Sequence, residues 1–252
     1  VLTSDRSQWH DSRYRLADKA LIERWGQTKA EKIGAWDYYF GAPYPYPRQF
    51  TRWISESVPY LYKNRVDVFF SQLPSMWGLD GVKGWLTTQL LWNADIDTED
   101  LLNEFYDEFF GAASQPIRAF YETAEYHRNE NEGSANWLKL YLDESGIELF
   151  PKCVIDKMRS HIEEAISLVD SSSRYYERIA IVSEAFELTE LYHAYHSARL
   201  DLLVFIANNE AVGGIEKVRN FKVKREQYLS RAQELIKDPL HEHFNYFLKL
   251  GQ

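Results

Sequence analysis

Lys32-Ile33-Gly34-Ala35-Trp36-Asp37-Tyr38-Tyr39-Phe40-Gly41 decides how this chain is read. It is short, aromatic and closed by a glycine, which is the signature of a strand rather than a helix. On its N-terminal side, Arg13 to Trp25 has helical spacing, with Leu16, Ala20, Leu21 and Trp25 on one side. On its C-terminal side, Pro43-Tyr44-Pro45-Tyr46-Pro47 forbids helix and sheet interior alike. Phe50 to Tyr62 returns to helical spacing, and Val66-Asp67-Val68-Phe69-Phe70-Ser71-Gln72 reads as a second strand. Gly78 to Trp92 then reads as a helix.

The order helix, strand, helix, strand, helix implies parallel strands joined by right-handed crossovers. Two strands do not make a stable sheet, so something else must complete it. Either a preceding portion of a longer chain or strands without a clear pattern would serve.

From Asp97 onward only helices are expected. Asp97-Thr98-Glu99-Asp100 places acids at a helix start, where the backbone dipole favours them, and Gly111 ends that helix. Ser114-Gln115-Pro116 opens another, running to about Arg128. Asn129 to Ser134 is a polar break, followed by a short segment around Trp137 to Leu142. Three longer helices follow: Pro151 to Val169, Arg174 to Asn208, and Ile215 to Lys237. They read as an antiparallel bundle with short connections. The expected class is mainly α with a small α/β part, divided into residues 1–95 and a helical 96–252.

Composition narrows the functions. The net charge of −9 opposes the phosphate neutralisation on which nucleic-acid affinity depends, so no nucleic acid is expected as a partner. No stretch approaches the roughly 18 apolar residues of a membrane span. A single cysteine, Cys153, excludes an intrachain disulfide and reads as a buried small hydrophobe. The 8 Trp, 17 Tyr and 14 Phe suit either a large helical core or stacking platforms for sugar rings. No cofactor motif is present: Gly78 to Gly84 holds three glycines without the Lys-Ser/Thr of a phosphate-binding loop.

Several features together resemble the domain of unknown function 4838 family. They are the strand Ile33 to Tyr39 with its proline-rich loop, the strand Val66 to Gln72 leading into a Gly-rich helix, and Leu90-Leu91-Trp92-Asn93-Ala94-Asp95-Ile96-Asp97. The helix Glu104-Phe105-Tyr106-Asp107-Glu108-Phe109-Phe110-Gly111-Ala112-Ala113 completes the set. The resemblance implies kinship with α-glucuronidases and β-N-acetylhexosaminidases, hence a (β/α)₈-type barrel followed by a helical domain. The strands here would be the barrel's last, and this chain the C-terminal part of a glycoside hydrolase acting on polysaccharide or oligosaccharide. Catalytic carboxylates on earlier strands would then lie outside it. The missing N-terminal portion of the same protein becomes a partner beside the carbohydrate. The resemblance also implies a periplasmic or extracellular location.

In such barrels, ligand groups project from the C-terminal strand ends. That singles out Trp36, Asp37, Tyr39 and Gln72, with Trp77 just beyond, as substrate-binding candidates. Asp37 suits a sugar hydroxyl or a carboxylate pair, and Tyr39 and Trp77 suit stacking on a ring; the competing structural role is a capped loop and a filled barrel mouth. Two rival classes stay open. One is a non-catalytic module binding carbohydrate or protein. The other is a helical metal or scaffold protein, for which Glu190-Leu191-Tyr192-His193 is the main sign, with Asp238-x-x-His241 and His241-Glu242-His243 as weak echoes.

Overall fold

The computed structural model describes residues 1–38, 46–71, 76–130, 144–208 and 212–241. Its first part alternates: β1 (Leu2–Ser4), α1 (Ser12–Gly26), β2 (Ile33–Asp37), α2 (Thr51–Lys63), β3 (Val66–Ser71) and α3 (Trp77–Trp92). Among the described residues only helices follow: α4 (Thr98–Phe110), α5 (Ser114–Asn129), α6 (Lys152–Ser167), α7 (Arg174–Ala207) and α8 (Gly214–Leu235). The molecule is mainly helical with one small parallel sheet.

That sheet has three strands, not the two read from the pattern. β1 pairs with β2 and β2 with β3, all parallel, in chain order. The strand Leu2–Ser4 escapes sequence reading because three residues are too few to show alternation. In register, Ser4, Asp37 and Ser71 stand side by side at the C-terminal ends of the three strands.

The two faces of the sheet differ. Leu2, Ile33, Ala35 and Val66 are buried in a core with Ile22 of α1, Trp53, Ile54 and Val58 of α2, and Leu86 and Leu90 of α3. On the opposite face Trp36 is 40% exposed, Val68 50% and Phe70 49%. Parallel sheets are normally covered on both faces, so this bare apolar face is unusual.

Local chemistry explains the helix ends. Asp11 caps α1 by accepting from the Arg13 and Tyr14 amides, and Asp97 caps α4 by accepting from those of Glu99 and Asp100. Gly111, at φ 57°, ends α4 in the left-handed region that favours glycine. Arg65 also has positive φ, at 66°. Its guanidinium spans the α1–β2 connection, donating to the carbonyls of Gly26, Thr28 and Ala30 at 3.0, 3.1 and 3.2 Å. These bonds offset the local backbone strain.

A second core joins the helices. Phe105, Phe110, Phe120, Ile155, Met158, Phe186, Tyr192 and Tyr228 are all within it. A short 3-10 turn, Glu144–Leu149, adds Ile147. α3 reaches α7 through Gly78, where an added Cβ would overlap the Ile181 carbonyl. Cys153 is exposed, not the buried hydrophobe expected of it, because the first turn of α6 presents it to solvent. The proline-rich loop lies largely outside the described residues, as does the segment around Trp137 to Leu142.

Candidate functional site

The C-terminal ends of β1 and β2 carry an ion-paired network with almost no solvent contact. The chain leaves β1 as Asp5-Arg6-Ser7-Gln8, all buried. Arg6 donates to Asp37 Oδ2 at 2.8 Å through its guanidinium and to Oδ1 at 3.1 Å through its amide, and its Nε lies 3.1 Å from Asp18. Asp18 in turn accepts from Trp9 Nε1 at 2.9 Å. Asp5 accepts from Ser7 Oγ, Gln8 Nε2 and Arg48 at 2.5, 2.6 and 3.0 Å. Lys83 of α3 donates to the Arg48 carbonyl at 2.8 Å and pairs with Asp80. Arg128 of α5 reaches the Ser7 carbonyl at 3.0 Å.

Burial dominates the electrostatics here. It pushes the Asp37 carboxyl up to about 6, against the opposing pull of Arg6. It brings Lys83 down to about 8, opposed by Asp80. His10, buried with Arg128 and Arg48 nearby, falls to about 4. Shifts of this kind concentrate at functional sites and in structural ion networks alike. Asp37 is fully enclosed, so its oxygens serve Arg6 and the Tyr38 amide, which donates at 2.8 Å. The cluster therefore acts here as the polar fastening of two strand ends to α1, α3 and α5.

A separate groove of about 710 Å³ opens between α3, α4 and α7. Trp77, Gly81, Gly84, Trp85 and Thr88 give it one helical face, and Glu104, Phe105, Glu108 and Phe109 a second. Arg174, Arg178, Ile181 and Val182 supply the third wall. Trp77 is 47% exposed and Phe109 37%. Gly81 leaves room for the Trp77 indole to lie along α3, since a Cβ there would sit 3.1 Å from the ring. Arg178 stacks on Phe109 at 4.1 Å and donates to the Phe109 and Glu108 carbonyls at 2.8 and 3.2 Å, closing the C-terminus of α4. An apolar floor rimmed by two carboxylates and two guanidinium groups suits a ligand with an apolar face and a polar perimeter.

The candidates singled out from sequence are thus dispersed. Trp77 lines the groove. Trp36 lies on the bare sheet face, its ring 4.7 Å from that of Phe70. Asp37 is interior, and Tyr39 and Gln72 lie outside the described residues. Sequence alone does not place Phe109, Glu104, Glu108 and Arg174 at a site, because they meet Trp77 only through tertiary packing. The one available signal was the i, i+4 recurrence of Phe105 and Phe109 beside Glu104 and Glu108.

The metal motif dissolves into ion pairs. Glu190 accepts from Arg159 at 2.5 Å, and His241 lies 3.3 Å from Glu184. Among the described residues, no group of three or more His, Cys, Asp or Glu side chains is placed to hold a metal ion. Among them too, no helix is long and apolar enough to cross a membrane.

Fold and strand-end network define a mainly helical protein built around consecutive parallel βα units. The family model described as Domain of unknown function (DUF4838) matches residues 3–122, and this part of the chain belongs to that family. No curated protein and no solved structure matches the chain.

Proposed function

We propose that the chain is the C-terminal part of a glycoside hydrolase-like protein acting on polysaccharide or oligosaccharide, outside the cytoplasm. In this reading β1, β2 and β3 are the last strands of a (β/α)₈-type barrel, and the helices from α4 onward form an antiparallel bundle that supports it. The observation that carries the reading is the sheet. Its strands run parallel in chain order, one face is packed on α1, α2 and α3, and the other is bare with Trp36, Val68 and Phe70. A barrel interior is filled by side chains from all its strands, so a barrel cut to three strands would leave this face uncovered. The order of ring contacts supports the bundle: Tyr192 meets Tyr228 while Tyr195 meets Phe221, so numbers rise along α7 as they fall along α8.

A second reading is favoured by the groove. A non-catalytic carbohydrate-binding module would stack a sugar ring on Trp77 or Phe109 and hydrogen-bond its hydroxyls through Glu104, Glu108 and Arg174. Affinity electrophoresis in soluble polysaccharides separates the two. Retardation of this chain that falls on the order of tenfold in Trp77→Ala, a loss of about 1.4 kcal/mol, supports sugar binding at the groove. Retardation that follows Trp36→Ala alone moves the contact to the barrel face. No retardation by any polysaccharide counts against carbohydrate contact by this part of the protein.

A further inference from the structure

The last turns of α2 and α3, the start of β3 and the turn Asn93 to Asp95 line a pocket of about 500 Å³. It lies at the opposite end of the sheet from Asp37 and the ion network. Val66 and Phe69 in its wall pack with the core that α2 and α3 share, so the pocket is on the helix-covered side of β3. The bare face of Trp36 and Phe70 is on the other side.

Two large rings border this pocket without being buried. Trp92 is 90% exposed and Tyr62 66%. The apolar core takes Val58, Leu61, Leu86 and Leu90 from the same helices and leaves these rings out. The charge beside them is of one sign. Asp67 and Asp95 line the pocket, and among the described residues no lysine, arginine or histidine does. Neither carboxylate has an ion pair or a side-chain hydrogen bond among the described residues. The end of α3 adds to the negative field. The Asn93 amide bonds back to the Gln89 carbonyl and the Asp95 amide to the Asn93 side chain at 3.1 Å, so the carbonyls of Leu90, Leu91 and Trp92 are left as acceptors. A helix C-terminus carries roughly half a negative charge.

We infer that this pocket binds an organic cation with N–H groups, a primary alkylammonium of the kind a lysine side chain carries. Its ammonium donates to the carboxylates and to the open end of α3, while its apolar stem lies against the rings. The face of a Trp ring itself attracts such a cation. An anion is opposed by both carboxylates and by the helix end. A neutral ligand would use the rings and leave the two carboxylates without a counter-charge. A bare metal ion would call for three or more ligating side chains, and among the described residues no such group is placed to hold one.

The indole N–H signals of the ¹⁵N-labelled protein test the inference, with the signal of Trp92 identified by its loss in Trp92→Phe. Acetyl-lysine amide should shift that signal and bind about tenfold tighter than acetyl-norleucine amide, which has the same stem without the ammonium. Butylammonium should shift it too. Equal affinity for butylammonium gives the site to free amines, and affinity about tenfold lower gives it to a lysine carried on a peptide. Asp67→Asn/Asp95→Asn should weaken acetyl-lysine amide binding about tenfold, as should 0.5 M NaCl, which screens surface charge. Both carboxylates are exposed, so the double variant should keep the melting temperature of the parent. Equal binding of the norleucine compound, undiminished binding by the double variant, or no shift of the Trp92 signal with either amine would overturn the inference. So would a Trp92 signal that moves only with a neutral sugar such as cellotriose, which would make the rings a sugar platform.

Discussion

The strand-bearing part and the helical part bury different chemistry. Before α4, Asp5, Arg6, Asp11, Asp18, Asp37, Arg48, Asp80 and Lys83 are all buried, most of them in one network around the strand ends. From α4 onward, the buried polar side chains among the described residues are Ser114, Thr123, Thr189, His196 and His241, and the rest of the core is aliphatic and aromatic. Ion pairs there, such as Arg231 with Glu187, stay part-exposed. Burying charge costs several kcal/mol per ion before pairing returns it. Helices can satisfy all but their end backbone groups internally and settle by apolar packing. Strand ends and the loops that leave them cannot, and side-chain ions do that work. The contrast teaches that the first part adds a buried polar network to its apolar core, whereas the second is held almost wholly by volume.

The largest effect expected from that contrast is at Arg6. Arg6→Ala leaves Asp37 buried and deprived of its guanidinium partner, and should cost about 3–5 kcal/mol in urea unfolding. A loss below 1 kcal/mol would break the comparison. Next comes Gly78→Ala, where the methyl would collide with the Ile181 carbonyl and the Ala185 side chain and prise α3 from α7. Overpacking of this sort should cost about 1–3 kcal/mol, and a neutral result would show that the two parts meet less tightly than the structure has it. At the small end, Arg231→Ala should change stability by less than about 1 kcal/mol, because its pairs with Glu187 and Glu234 are open to solvent.

A pH series sharpens the same point. His10 holds its proton less readily in the folded protein than in the unfolded chain, about 4 against 6.5, so its contribution to stability rises with pH across that interval. Asp37 holds its proton more readily, about 6 against 3.8, so its contribution falls with pH over nearly the same range. The two slopes oppose each other. In His10→Gln, urea midpoints should therefore decline from pH 4 to 6 more steeply than in the parent. An unchanged slope would mean that burial does not perturb His10.

Much of the fold was legible because it is written in local signals. The spacing predicts the longest helix over Arg174 to Asn208 and it forms over Arg174–Ala207, since Ser173 caps one end and Gly213-Gly214 lie beyond the other. The strand Ile33–Asp37 lies inside the read segment Lys32 to Phe40. β1 is not legible, because its three residues cover too few two-residue periods for alternation to show. The candidate site was legible only in part. Trp77 was singled out from its place after a strand, whereas Phe109 and Arg174 reach it from 32 and 97 positions away in sequence, and spacing says nothing of such proximity. Asp37 was noticed as a carboxylate at a strand end, but its partner Arg6 follows the strand that was missed.

The central proposal is that the three strands are the last of a larger barrel, and the intact mass of the natural gene product tests it most directly. The proposal predicts a product several hundred residues longer than this 29.7 kDa chain, the extra length preceding Val1. A mature natural product that begins near Val1 would contradict it, leaving the bare face of Trp36 and Phe70 to be covered by something other than further barrel strands.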